Sequence, residues 1–264
     1  MTPRLRPRSI AVLTVASVAG LAMFLWPLLV EVEPGTTRLD PPFILLALLP
    51  IVVLAVVAEL SEDGIDSKAL AMLGVLTAIN GALRSLGAGL AGIELVFFLL
   101  ILAGRVFGPA FGYVLGCTSL FASALLTAGV GPWLPFQMMA SAWIGLGAGL
   151  LPRRVTGRAE IVMLCVYGVV CAYGFGLLMN MSSWPFLAGI ELTYYEGSLA
   201  FDPADSLGAN LHRFFVYSVL TSTAGWDTGR AITNVVAIVV LGPAVLATLR
   251  RAARRARWSV DAAV

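Results

Sequence analysis

Charge is scarce in this sequence. Only 12% of the 264 residues are charged, against 59% hydrophobic, and the mean hydropathy is +0.92. A soluble domain carries about 25% charged residues, so this composition excludes one, and most of the surface must face lipid. The single lysine, Lys68, follows Asp66 and Ser67. No glycine–lysine pair exists, so the chain has no phosphate-binding G-x-x-x-x-G-K-[ST] loop and no ATPase centre of that kind. His212 is the one histidine, and no G-x-S-x-G elbow accompanies it, which removes the usual hydrolase constellations. The three cysteines, Cys117, Cys165 and Cys171, lie within apolar runs with no CxxC or Cys/His spacing. They read as core packing, and neither a metal nor a cofactor is expected. The middles of the apolar runs also lack Asp, Glu, Lys and His, the groups that ion-coupled transporters use at membrane depth. The expectation is therefore a membrane protein that is not an enzyme, binds no nucleic acid and draws any transport energy from another chain.

Apolar runs occupy 10–30, 43–58, 69–86, 93–102, 109–128, 134–151, 161–178 and 231–249. They predict an all-α integral membrane protein with about eight transmembrane helices. The fourth run is only about 10 residues long and reaches across a bilayer only if tilted, extended or partly re-entrant. Counting crossings from a cytoplasmic N-terminus marked by Arg4, Arg6 and Arg8 places every other arginine cluster inside. Those clusters are Arg105, then Arg153, Arg154 and Arg158, then Arg250, Arg251, Arg254, Arg255 and Arg257, and the topology is N-in/C-in. The first run is about 21 residues long and is followed by Glu31 and Glu33, not by a small-residue cleavage site, so it reads as a retained helix. The chain then divides into a two-helix extension over 1–66, a six-helix membrane core over 67–257 and a tail over 258–264. A long outer segment covers about 180–228.

Four features carry functional signal. In the run 69–86, Gly74, Ala78 and Ala82 form one stripe at spacing four, with Thr77, Gly81 and Ser85 on the neighbouring line. Such stripes let helix backbones approach closely, either against a partner or within the chain. The stretch GPWLPFQMM at 131–139 turns into a helix that carries Trp133, Gln137 and Trp143. Gln137 sits about one turn into the membrane, where an amide can read a ligand, while an aromatic belt is the plain reading of the tryptophans. Asp227, Arg230 and Asn234 fall at i, i+3 and i+7 and share a face. A solvated ion pair explains the first two, and Asn234 lies deeper. The outer segment is rich in aromatics, including Trp184 and Trp226, and 212–220 reads as a short interfacial helix. Together with the turn at Gly129 it can roof an outer pocket.

Taken together, Ala78-x-x-x-Ala82, GPWLPFQMMASAW at 131–143, and WDTGRAITN at 226–234 with the arginine-rich tail resemble the S component of an energy-coupling factor (ECF) transporter, within the vitamin-uptake branch of the ABC transporters. The resemblance covers 68–257. It implies a six-helix core in a bacterial plasma membrane that binds a vitamin-like small molecule on its outer face. A transmembrane T component and two ABC ATPase subunits would be partners, with Ala78 and Ala82, beside Gly74, docking the T component. The motifs most resemble S components proposed for cobalamin. On that basis Trp133, Gln137, Trp143, Asn234, Trp184 and Trp226 are the candidate ligand contacts. Residues 1–66 and the long outer segment depart from the usual pattern. The alternatives from other classes are a membrane scaffold without a small-molecule ligand and a self-contained secondary transporter.

Overall fold

The computed structural model of the chain describes residues 7–29, 43–60, 67–87, 92–184, 197–202 and 204–261. Every regular element among them is helical. In chain order these are α1 (Pro7–Phe24), α2 (Trp26–Leu29), α3 (Phe43–Leu60), α4 (Ser67–Gly87), α5 (Val96–Phe107), α6 (Pro109–Leu126), α7 (Leu134–Leu150), α8 (Gly157–Ser183), α9 (Leu207–Ser218), a π-helical stretch (Val219–Asp227), α10 (Thr228–Val240) and α11 (Gly242–Asp261). By length and apolar composition α1, α6 and α8 can each cross a membrane, and the bent pair Leu207–Val240 and Gly242–Arg254 can supply a fourth span. Lines of exposed branched residues fit lipid contact. Val162, Val166 and Val170 form one on α8, and Ile232, Val236 and Val239 form another on α10.

The short fourth run becomes α5, shifted to 96–107 and enclosed by protein. All ten residues from Val96 to Arg105 are buried. At about 1.5 Å per residue it is only about 18 Å long. Being apolar on every side, it serves as the bundle's inner post and needs no lipid-facing side.

Around this post α6 and α7 pack backbone to backbone. A Cβ placed on Gly112 would collide with the Gly145 carbonyl, one on Gly145 with the Gly112 carbonyl, and one on Gly116 with Ser141. Gly104 on α5 meets Gly145 in the same way. Small residues at spacing four allow this approach. The α5–α6 break falls at Gly108, whose φ of 102° is open to glycine, and Pro109 starts α6 without needing its missing amide hydrogen. The N-terminal helices share the core: Phe24 is fully buried and its ring lies 4.9 Å from that of Phe136.

The run 231–249, expected as one helix, breaks between α10 and α11 with a bend of 66°. Pro243 lacks the N–H that would continue the α10 ladder, so the axis turns there. Leu246 and Leu249 then bury α11 against the core. At this end Arg105 donates to Glu160 Oε1 at 2.7 Å and to the Leu151 and Val155 carbonyls at 2.9 Å. Arg250 donates to both Glu160 oxygens at 2.7 Å. One buried carboxylate thus ties α5, α8, α11 and the α7–α8 turn together. Arg105 and Arg250, which the sequence reading places on a common side, meet at this end of the bundle, the arginine end.

Candidate functional site

A polar cluster occupies the opposite end. The first turn of α10 supplies Arg230, whose guanidinium donates to Glu94 at 2.6 Å through Nε and to Asp227 at 2.8 Å through Nη1. It also lies over the rings of Phe97 and Phe175, 5.6 and 5.0 Å from their centroids. The Asp227 side chain is 1% exposed and that of Arg230 9%, so the expected solvated pair is a buried one with a second carboxylate. Burying these charges is tolerable because each has partners. Ser222 donates to Asp227 Oδ2 at 2.9 Å, and the carboxylate rests directly on the backbone of Gly176 in α8.

The π-helical stretch helps to make this geometry. Its wider turn lets Thr228 donate to the Thr223 carbonyl five residues back at 2.7 Å, and the Thr228 and Tyr173 hydroxyls lie 3.0 Å apart. Such stretches are rare and frequently mark functional sites. Gly92 holds the approach to Glu94. Its φ is +82°, and a Cβ there would strike the Trp226 carbonyl. Asn234, fully buried one turn further in, donates to the Glu94 carbonyl at 3.1 Å and the Arg230 carbonyl at 2.8 Å.

Arg84, at the end of α4, donates to Gln137 Oε1 and to Ser123 Oγ, both at 3.1 Å. It lies within electrostatic reach of Glu94 and Arg230, which makes the two halves one charge field. Arg84 and Arg230 balance Glu94 and Asp227.

Deeper in the bundle are buried polar atoms with no hydrogen-bond partner among the described residues: both amide atoms of Asn80, the hydroxyls of Ser119 and Ser141, and Asn234 Oδ1. An unsatisfied buried polar group costs about 1–3 kcal/mol, so these atoms call for an account. Asn80 shares the inward face of α4 with Arg84 and with Thr77, whose hydroxyl lies 2.8 Å from that of Thr118. Gly81, the next residue, packs on Ser119 and Ser123 of α6.

Of the candidate ligand contacts, Gln137 and Asn234 belong to this end. Trp226 contributes its backbone there, and the residue is 44% exposed. Trp133 is 51% exposed, with its indole lying on Gly131. Trp143 turns toward α1, donating to Ser17 Oγ at 3.0 Å and stacking 5.5 Å from Phe24. Trp184 is buried in a separate aromatic cluster with Phe201 and Phe214, its N–H bonded to the Leu199 carbonyl at 2.8 Å. That cluster anchors α9, the amphipathic helix expected near 212–220, whose start is capped by Ser206.

Arg84, Glu94, Asn80, Ser119 and Ser141 were not singled out from the sequence as site residues. Asn80, an amide in mid-run on the line of Thr77 and Arg84, is the signal that was there. On α4, Thr77 and Gly81 pack inward, while Gly74, Ala78 and Ala82 face outward, with open space around Gly74. No group of three or more His, Cys, Asp or Glu able to hold a metal occurs among the described residues.

No protein-family model matches this chain, and no curated protein or solved structure matches it.

Proposed function

We propose that the chain is the substrate-binding membrane subunit of an ECF-type transporter. It has eight spans and both ends in the cytoplasm. It binds a vitamin or related micronutrient, cobalamin or a precursor by the resemblance of its motifs, at the outer end opposite the arginines. The observation that carries the reading is a set of buried polar atoms without a partner among the described residues: Asn80, Ser119 and Ser141 stand one helical turn below Arg84, Ser123 and Gln137, and Asn234 one turn below Arg230. Unsatisfied amides and hydroxyls, with charges that cancel among themselves, suit a large neutral ligand rich in hydrogen-bonding groups.

The absence of a phosphate-binding loop from the sequence leaves the energy to a T component and two ABC ATPase subunits. The outward stripe Gly74, Ala78 and Ala82 offers the T component a close-approach surface. That stripe alone equally favours a scaffold that assembles without a ligand.

A mild-detergent pull-down from native cells, read by mass spectrometry for proteins and small molecules, separates the two. The expected eluate contains a T component, two ATPase chains and a vitamin-like compound. Gln137→Ala and Asn234→Ala should lower the recovery of that compound about tenfold each while the protein partners remain. A stable complex lacking ATPases would sink the transporter reading. Partner recovery with no compound in any preparation would favour the scaffold.

A further inference from the structure

A cleft of about 670 Å³ lies at the arginine end between the foot of α4 and α11, lined by Lys68, Ala71, Met72 and Val75 on one side and Thr248, Arg251 and Ala252 on the other. We infer that it is a binding site for one anionic phospholipid, whose phosphate is held between Lys68 and Arg251 and whose acyl chain lies along Ala71, Met72 and Val75. Three observations converge on it.

Both cations are exposed, and neither meets a carboxylate among the described residues. Among the described residues, ion pairs go to Arg105, Arg213, Arg230 and Arg250, whereas Arg251 has only the Thr248 hydroxyl of its own helix, at 3.3 Å. The fold also sorts the arginines of α11 by direction. Arg250 turns inward to Glu160, and the 66° bend lays the helix so that Arg251 reaches the foot of α4. Arg254, one turn beyond and exposed, extends the same positive surface.

The wall beneath the cations is apolar, and its depth suits a lipid. From Lys68 to Val75 the helix rises about 10 Å, the interval between a headgroup phosphate and the first part of an acyl chain. Residues 68, 71, 72 and 75 form one line on α4, beside the line of Gly74 and Ala78. Charge above an apolar wall complements an anionic headgroup above a hydrocarbon tail, and a soluble anion would leave the wall bare. The inference stands independently of the transport reading.

The purified full-length chain in dodecyl maltoside, titrated with phosphatidylglycerol or phosphatidylcholine of equal chain length, provides the test by native mass spectrometry. One phosphatidylglycerol should stay bound at concentrations where phosphatidylcholine does not. Lys68→Gln with Arg251→Gln should weaken retention about twenty-fivefold, two cations each worth about fivefold at a membrane surface. Ala71→Trp, which fills the apolar wall and leaves both cations in place, should give a comparable loss. Arg153→Gln with Arg154→Gln, exposed at the same end but off the cleft, should bind as wild type. Equal retention of phosphatidylcholine, undiminished binding by the Lys68/Arg251 variant, or displacement of the lipid by equimolar inorganic phosphate would each overturn the assignment. The last would mark a soluble-anion site.

Discussion

Arg230 carries a full charge at 9% side-chain exposure, held by Glu94, Asp227 and two aromatic faces. Removing one member of such a set leaves the others buried without compensation, at a cost of about 3–5 kcal/mol. Asp227→Ala should therefore lower the thermal unfolding midpoint in detergent markedly. Asp227→Asn, which keeps an acceptor toward Ser222 and Arg230, should lower it by less than half as much. Equal midpoints for Asp227→Ala and wild type would show that the network adds no stability. The spacing of Asp227, Arg230 and Asn234 on one helix face was legible in the sequence, because i, i+3 and i+7 fix it. Their burial was not, since Glu94 lies 136 residues from Arg230 and no local pattern reports so distant a partner. The same holds for Arg84, whose acceptors come from α6 and α7.

The helices differ in what they ask of their glycines. Gly145 lies in reciprocal backbone contact with Gly112, while Gly174 on α8 has open space around it. Gly145→Ala should push α6 and α7 apart and cost several kcal/mol, of the order of overpacking a core. Gly174→Ala should be neutral or stabilising by up to about 1 kcal/mol, since alanine restricts the unfolded chain and favours the helix. Unfolding midpoints in one detergent check both. A tolerated Gly145→Ala would mean that the α6–α7 contact yields by sliding. The glycines at 104, 108, 112 and 116, like Ser141, Gly145 and Gly149, stand at spacing four in plain view, yet spacing alone does not name the partner. On α4 the same kind of pattern split. Its Thr77–Gly81 line packs within the chain, and its Gly74–Ala78–Ala82 line faces out. The end of α10 was missed for a different reason. Apolarity runs on across the break from 235 to 247, and the break rests on the single Pro243.

At the scale of the whole molecule the two ends are chemically different. One gathers arginines around the buried Glu160, the other a balanced set of charges, amides and hydroxyls. If the outward stripe of α4 docks a partner, Ala78→Arg and Ala82→Arg should abolish recovery of the T component in the pull-down while the co-purified small molecule stays unchanged. Variants that retain normal partner stoichiometry would assign the stripe to lipid contact alone. The sequence by itself determined the all-helical membrane class, the positions of most helices and the absence of a phosphate-binding loop, because hydropathy and short motifs are local properties. Only the tertiary structure decided that α5 is an enclosed post, that Trp143 and Trp184 pack outside the polar cluster, and which face of α4 remains open. Those outcomes depend on which helices become neighbours, and long-range packing sets that where hydrophobic periodicity is silent.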